Sequence, residues 1–575
     1  MRKILFIILI LSVKTSFAQD PATIWADSVL KTLTPDEKIA QLMIVRLSSI
    51  DMRTKTVTFY DDQVRDLIKK YNVGAICLFQ GGPTQQAVIL NSLQAMAKTP
   101  LMMCIDAEWG LGMRMLDSVL PLPKQMMLGA VSDPNIPYQY GKVVAEQCKR
   151  MNIQVNFAPV VDINNNPDNP VINDRSFGED KYKVALYGTQ YMKGMQDNGV
   201  LACAKHFPGH GDVAVDSHLD LPVIRKSVAQ LDSLELYPFK EIFKAGIGSV
   251  MIAHLYIPSI DSSANRATSL SKLNVTGLMR NELGFQGLTF TDALGMQGVK
   301  KFFSNGEAEV QSLIAGNDML CLPDDVPIAI TKIKAAIADG RLTQEEIDMH
   351  CKKVLMVKYR FGLSQLQPIN TDNLANDLNR NIPAMRKLIA ENALTVLRKT
   401  DSLFFPLAAP ETTGSKEIAF VGIGLNENNT FSKRLAADYN ADVFFCNYKS
   451  DAMFVQQMLA SIKKNYKKVI IGIHNYNRFP ANNFGISKQA VDLVTQLQTE
   501  YNTITFVFGN PYAIKNWCGA KNLVACYEDD DIVQNTAADL LEGKIPAKGH
   551  LPVTVCPEFK YGTGIVANSF FFAPH

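Results

Sequence analysis

Apolar residues recur along the first part of the chain in short unbroken runs, not in alternation with polar ones. The runs are Ile39–Arg46, Val73–Phe79, Leu101–Asp106, Gln154–Asp162, Gly199–Ala204, Ser249–His254, Gly287–Thr291 and Asp318–Leu322. Each is rich in Val, Ile, Leu or Met and apolar on both faces, the pattern of parallel strands covered by helices. Amphipathic stretches such as Asp62–Lys70, Ile136–Met151, Leu231–Ala245 and Glu307–Ala315 supply the crossovers. Eight such units predict an α/β fold, a (β/α)8 TIM-like barrel. A second alternation follows, with strands expected at Glu417–Gly422, Asp442–Cys446, Val469–His474, Ile504–Phe508 and Leu523–Tyr527 and helices at Phe454–Lys464 and Lys488–Glu500. It predicts a smaller open α/β sandwich domain. The small, polar stretch Leu407–Ser415 between them has the make-up of a domain boundary. The plan that follows is a leader over 1–18, a barrel over 19–370, a helical linker region over 371–415 and a C-terminal α/β sandwich over 416–575.

Composition narrows the class. With 575 residues, 47% apolar and 20% charged, the chain can bury large cores and exceeds one domain. Met1–Ala18 has a basic start, an apolar stretch from Ile4 to Val13, and small residues at Ser16 and Ala18. This reads as a cleaved signal peptide and predicts export, with the periplasm as the expected location. The apolar stretch is too short to cross a bilayer, and no later segment reaches that length, so no membrane span is expected. The formal charge of +2 becomes about −1 once Arg2, Lys3 and Lys14 are removed. No basic stripe marks a nucleic-acid partner. The ten cysteines are scattered without a C-x-x-C, and Cys77, Cys104, Cys203, Cys321, Cys446 and Cys526 lie in or beside apolar runs. They read as buried small hydrophobes, not as a disulfide framework or zinc site. Gly422-Ile-Gly424 lacks the third glycine of a nucleotide fingerprint and is read as helix–strand packing.

The candidate chemistry gathers at strand ends. Asp106, Glu108, Asp162, Lys205, His206, His254, Asp292 and Asp324 all fall at or just after the carboxyl ends of the expected barrel strands, the rim where such barrels place their reacting groups. Residues 205–222 hold three of the eight histidines, His206, His210 and His218, among glycines and carboxylates. Asp216 and His218 are one residue apart, so in extended chain they point the same way and the carboxylate can orient the imidazole. That imidazole could then protonate a leaving oxygen and deprotonate water. Asp292, in Phe-Thr-Asp-Ala-Leu-Gly-Met after the seventh strand, suits attack on an anomeric carbon, or else a plain helix N-cap. A metal at His206, His210, Asp212 and Asp216 is disfavoured because Pro208, Gly209 and Gly211 exclude the helix that would align two histidines. Ser269 and Ser461 open S-x-x-K matches without an S-D-N partner.

Two stretches carry a resemblance to a known family. Lys205-His-Phe-Pro-Gly-His-Gly211 followed by Asp216-Ser-His218, and Asn156-Phe-Ala-Pro-Val-Val-Asp162 followed by Asp174-Arg-Ser-Phe-Gly-Glu179, resemble glycoside hydrolase family 3, and within it the bacterial β-N-acetylglucosaminidases. The resemblance covers roughly 30–365 and, more loosely, 380–565. It implies Asp292 as nucleophile and the Asp216–His218 pair as acid/base. It implies Asp106, Arg114, Arg175, Lys205 and His206 as holders of the sugar, with His210 on the mobile loop and His254 added from its place on the rim. The implied activity is retaining removal of terminal β-linked N-acetylglucosamine through a glycosyl-aspartate, with no metal and no organic cofactor. Export points to peptidoglycan- or chitin-type oligosaccharides as the small substrate. The third strand reads Asp106-Ala-Glu-Trp-Gly-Leu-Gly-Met-Arg114, with Leu111 where the family usually has its first arginine and Trp109 added as a ring that can stack on sugar. A β-glucosidase of the same family and a non-catalytic glycan-binding barrel are the rival readings. Oligomeric state is left open.

Overall fold

The computed structural model describes residues 20–215, 220–400, 405–407 and 417–566. Eight short strands form one parallel sheet: β1 (Met43–Arg46), β2 (Ala75–Leu78), β3 (Met102–Ile105), β4 (Val155–Asn156), β5 (Leu201–Phe207), β6 (Ser249–Ile252), β7 (Leu288–Thr291) and β8 (Leu320–Cys321). β1 pairs with both β2 and β8, and a parallel bridge between Phe290 and Met319 closes the ring. β2, β3, β6 and β7 are buried along their whole length, as strands enclosed by helices must be.

The first crossover helix shows how sequence fixes an element. Asp61–Tyr71 carries Asp61 and Asp62 in its first turn and Lys69 and Lys70 in its last, which complements the helix dipole. Val64 and Ile68, four apart, bury its inner face. Asn72 then adopts a left-handed conformation (φ 57°) and stops it.

Three expected boundaries move. The run from Ile39 splits, because Thr34 and Glu37 form a reciprocal capping box that winds Pro35–Ala40 into a helix before β1. Leu231–Ala245 becomes Val228–Ser233 and Leu236–Lys244, since Pro238 is tolerated only in the first turn of a new helix. The expected fifth strand runs on to Phe207, with its register against β6 shifted between Ala204 and Phe207. Both Lys205 and His206 consequently line the cavity, where regular alternation would turn one away.

The second sheet contains β9 (Thr395–Lys399), β10 (Ile418–Ile423), β11 (Asp442–Cys446), β12 (Lys468–Ile473), β13 (Asn502–Val507) and β14 (Asn522–Ala525), in the order β9-β14-β13-β12-β10-β11. All pairs are parallel except β9–β14. The stretch expected as a helical linker is helical over Leu374–Asn379 and Ile382–Ala393, but it also supplies β9, an edge strand of this sheet. Cys518 and Cys556 form a disulfide that no spacing rule singled out, while the six cysteines named above are buried.

Two buried titratable groups lie at the amino ends of the barrel strands. Asp318 accepts from His350 Nδ1, Lys353 Nζ and Arg280 Nη2, each at 2.8 Å. Burial opposes its ionisation, but these cationic partners hold it far below the usual carboxylate range. Lys358 is fully buried and donates to Gln41 Oε1 at 2.6 Å. Burial pushes its pKa down from 10.5 to about 7. Between those values the unfolded chain binds the extra proton, so stability rises with pH across this window. Lys358→Met is expected to flatten that rise, which in the native protein amounts to a few kcal/mol, roughly, from one such group. Thermal unfolding from pH 6.5 to 10 measures it, and parallel slopes for both proteins would refute the assignment.

Candidate active site

A cavity of about 1140 Å³ opens over the carboxyl ends of the barrel strands. On one side a lattice of charges is built from β3, β5 and the excursion after β4. Asp106 accepts from Lys205 Nζ at 2.8 Å and Arg114 Nη2 at 2.9 Å. Glu108, fully buried, accepts from Arg175 through Nε at 2.9 Å and Nη2 at 2.7 Å, with Lys205 Nζ also 2.7 Å away. Burial works against both carboxylates, yet the surrounding cations keep both below their ordinary values. Burial likewise opposes the charge of Lys205, and Asp106 and Glu108 raise its pKa in spite of it.

Neighbouring groups fix this lattice in place. Asn156 on β4 accepts from Ala107 N at 2.9 Å and donates to Ala107 O at 3.1 Å. Tyr140 and Tyr191 donate their hydroxyls to the Glu108 carbonyl at 3.2 and 3.0 Å. Asp162, after β4, accepts from His206 Nδ1 at 2.7 Å and from the His210 backbone N–H at 2.7 Å. Arg175 Nη2 lies 3.4 Å from the other His206 nitrogen. Gly211 lets the loop pass, since a Cβ there would lie 1.7 Å from the Ile163 carbonyl oxygen. His210 lines the cavity with both ring nitrogens buried and without a partner among the described residues, and burial, with His206 beside it, lowers its pKa to about 4.

Asp292 faces the same cavity from the end of β7. Its N–H is held by the Ile252 carbonyl at 2.9 Å, and its Oδ1 accepts from Ala293 N at 2.8 Å. It is not a helix cap, because the next helix starts at Gln297 after Met296. Ala293 and Gly295 beside it also line the opening.

The lattice therefore brings together Asp106, Arg114, Arg175, Lys205 and His206, with His210 and Asp292 on the same cavity. Asp216 and His218 lie outside the described residues. His254 is not among the residues that line the cavity: it is fully buried, with Nδ1 on Ser269 Oγ at 2.7 Å and Nε2 on the Ala293 carbonyl at 3.0 Å. Its contact to the Ala293 carbonyl braces the segment that follows Asp292. Ser269 is sealed with it. Asp212 pairs with Lys226 at 2.6 Å.

Sequence reasoning left unassigned three groups that the structure brings to the cavity. Glu108 is the centre of the lattice. Arg478 and Phe479, after β12 of the second domain, also line the cavity. Arg478 donates to Asp174 through Nε at 3.1 Å and through Nη2, and its guanidinium lies 5.4 Å from the Trp109 ring centre. The one available signal was position, at the carboxyl end of a strand in an open α/β sheet, where such sheets present their binding residues.

Comparison with known proteins adds the following. The model of the glycosyl hydrolase family 3 N terminal domain matches residues 34–357. The chain is 33% identical over 377 residues to Beta-hexosaminidase A of Pseudoalteromonas piscicida, covering 59% of this chain and 61% of that one, so it spans less than two thirds of that relative's length. It is 34% identical over 258 residues to a Beta-hexosaminidase of Thiobacillus denitrificans, covering 43% and 70%. The solved structure of a glycoside hydrolase family 3 beta-N-acetylglucosaminidase from Paenibacillus sp. str. FPU-7 superposes with a TM-score of 0.74 at 28% identity, covering 91% of this chain and 99% of that one.

Proposed function

This chain belongs to glycosyl hydrolase family 3, and from that premise we propose that it is an exo-acting, retaining β-N-acetylglucosaminidase. The observation that carries the reading is the Asp292 carboxylate at the end of β7, facing a cavity that is also lined by a prepared set of sugar-hydroxyl partners. Lys205 and Arg175 are directed donors, and Asp106 and Glu108 are strong acceptors already aligned by their cations. Hydrogen bonds that tighten as the ring flattens toward an oxocarbenium ion lower the barrier. The names of the two hexosaminidase relatives and the Paenibacillus structure support the amino-sugar preference.

In the proposed cycle Asp292 attacks the anomeric carbon as its bond to the leaving oxygen breaks. His218, protonated and oriented by Asp216, gives its proton to that oxygen. The sugar is then bonded to the Asp292 carboxylate as an ester. His218, now neutral, takes a proton from water, whose oxygen attacks the anomeric carbon and frees Asp292. Both configuration and charge are restored. The roles of Asp216 and His218 come from the family motif.

The substrate is read as a peptidoglycan- or chitin-type oligosaccharide met outside the cytosol. The Cys518–Cys556 disulfide supports an exported protein, because such bonds persist in oxidising compartments. The test is hydrolysis of an aryl β-N-acetylglucosaminide beside the matching β-glucoside. The amino sugar is expected to be the faster substrate. A preference for the glucoside would replace the specificity, and binding without turnover would replace the class.

Phe479 offers a second check. It is 42% exposed at the cavity wall, with the Arg478 guanidinium 4.9 Å from its ring centre, and the exposed part of the ring is offered to sugar. Phe479→Ala is expected to raise KM for a β-linked N-acetylglucosamine oligomer by about fivefold, near ~1 kcal/mol of lost aromatic contact. An unchanged KM for the oligomer would exclude that contact.

A further inference from the structure

We infer that Arg478 and Asn510, both in the second domain, are positioning residues for Arg175 of the barrel. The inference rests on the reading of the cavity as a glycoside site. Arg175 ends the short turn Asn173–Arg175 and grips Glu108 with two nitrogens. The two residues before it are held across the domain boundary. Asn173 Oδ1 accepts from Asn510 Nδ2 at 2.5 Å, and the Asp174 carboxylate accepts from Arg478 Nε and Nη2. Asn510 Nδ2 also donates to the Arg478 carbonyl at 2.8 Å, which ties the two anchors together. Where the same excursion begins, Asn164 Nδ2 donates to Tyr512 Oη at 2.9 Å, while Asn164 Oδ1 accepts from the Asn173 N–H at 2.9 Å. The carboxyl ends of β12 and β13 thus clamp both ends of the barrel segment that delivers Arg175.

Asp174 is 5% exposed, and Lys124, its other cation, stands 4.0 Å off. Without Arg478 a buried carboxylate loses its two-pronged partner one residue from Arg175. The turn must then shift toward another cation or toward water. A displacement of about 1 Å at a substrate-orienting group can cost on the order of a hundredfold in rate.

The experiment compares Arg478→Gln, Arg478→Lys, Asn510→Ala and a control, His550→Ala, which removes a contact to Ser132 elsewhere on the same domain interface. Each is assayed for kcat and KM on an aryl β-N-acetylglucosaminide, for calorimetric binding of N-acetylglucosamine, and for Tm. Arg478→Gln and Asn510→Ala are expected to raise KM by about tenfold or more and to weaken N-acetylglucosamine binding in parallel. Arg478→Lys should fall between, because lysine restores charge without the fork. His550→Ala should leave KM and binding unchanged. A purely structural role would lower Tm or the active fraction and leave KM and binding within about twofold of wild type, and that result overturns the inference. So does a rise in KM for His550→Ala equal to that of Arg478→Gln. A wild type that neither turns over nor binds the amino sugar would sink the reading of the cavity itself and this inference with it. An active wild type with unaffected variants sinks this inference alone.

Discussion

Replacing Asp292 with alanine is expected to cut turnover of an aryl β-N-acetylglucosaminide by ~10⁴-fold or more, the scale of losing a covalent nucleophile. Folding should hardly change. The side chain meets the cavity, its backbone N–H bonds to Ile252, and its carboxylate makes a hydrogen bond to Ala293 N that tunes a turn without filling a core. Truncating a half-buried side chain that meets a cavity and fills no core costs far less stability than a core truncation. Two further readouts separate a nucleophile from a residue that merely orients substrate. Azide added to Asp292→Ala should restore part of the rate and yield the α-configured glycosyl azide, because it enters from the face the carboxylate leaves open. A slow 5-fluoro N-acetylglucosaminyl fluoride, which keeps the 2-acetamido group, should label Asp292 in the native enzyme. Wild-type turnover in Asp292→Ala ends the assignment.

Glu108→Gln should be the most damaging change to the lattice. Glu108 is shared by Arg175 and Lys205, and both cations lie in the low-dielectric wall of the cavity. Removing one partner of a buried ion pair costs about 3–5 kcal/mol, since the remaining charge is left uncompensated. Here Asp106 can still serve Lys205, but Arg175 loses both of its carboxylate contacts. A fall in kcat/KM of about a hundredfold is expected as Arg175 and Lys205 lose their pose. The pH dependence has a definite sign. The folded-state pKa of Glu108 lies below the ordinary value of 4.5. The unfolded chain therefore takes up the proton first, and the contribution of Glu108 is complete above about pH 4.5 and drains away in more acid solution. Glu108→Gln has nothing to titrate there, so its denaturation free energy should fall less steeply between pH 5 and 3. Equal stability of the two proteins at pH 7 would remove Glu108 from the centre of the lattice.

The barrel was legible because parallel strands leave an unmistakable trace: seven of the eight apolar runs contain a whole strand, the fifth begins one that continues to Phe207, and Glu307–Ala315 is helical over the span expected for it. Boundaries went astray where a local competitor outweighed hydrophobicity, as the Thr34–Glu37 box did before β1. The second sheet was legible for the same reason, apart from β9, which pairs antiparallel at the edge and follows a helix without a loop signal. Lys205, Arg175 and Asp106 were readable through their motifs. Glu108 was visible as a rim carboxylate, but its centrality depends on Arg175, 67 positions away. The burial of His254 was not legible, because a histidine at a strand end has the same sequence signature whether its ring lines the cavity or is enclosed beside it. Arg478 reaches Asp174 across 304 positions, beyond any periodicity. The Cys518–Cys556 pair was hidden for a related reason: one sulfur follows a short turn and the other sits on a tail without regular structure.

That tail has a mechanical role. The His550 N–H bonds to Ala130 on the barrel, Pro552 accepts from Glu179 N, Thr554 caps the Glu179 carboxylate, and Ile565 returns to Val396 of the second sheet. Between these points Cys556 is bolted to Cys518. The stretch from His550 to Ile565 is thus a buckled belt: it leaves one body, touches the other and is fastened back where it started. Thiol reductants would open the buckle without breaking any ion pair of the Asp106–Glu108–Lys205–Arg175 lattice, so the fastening of the belt answers to the redox state of its surroundings as well as to the fold.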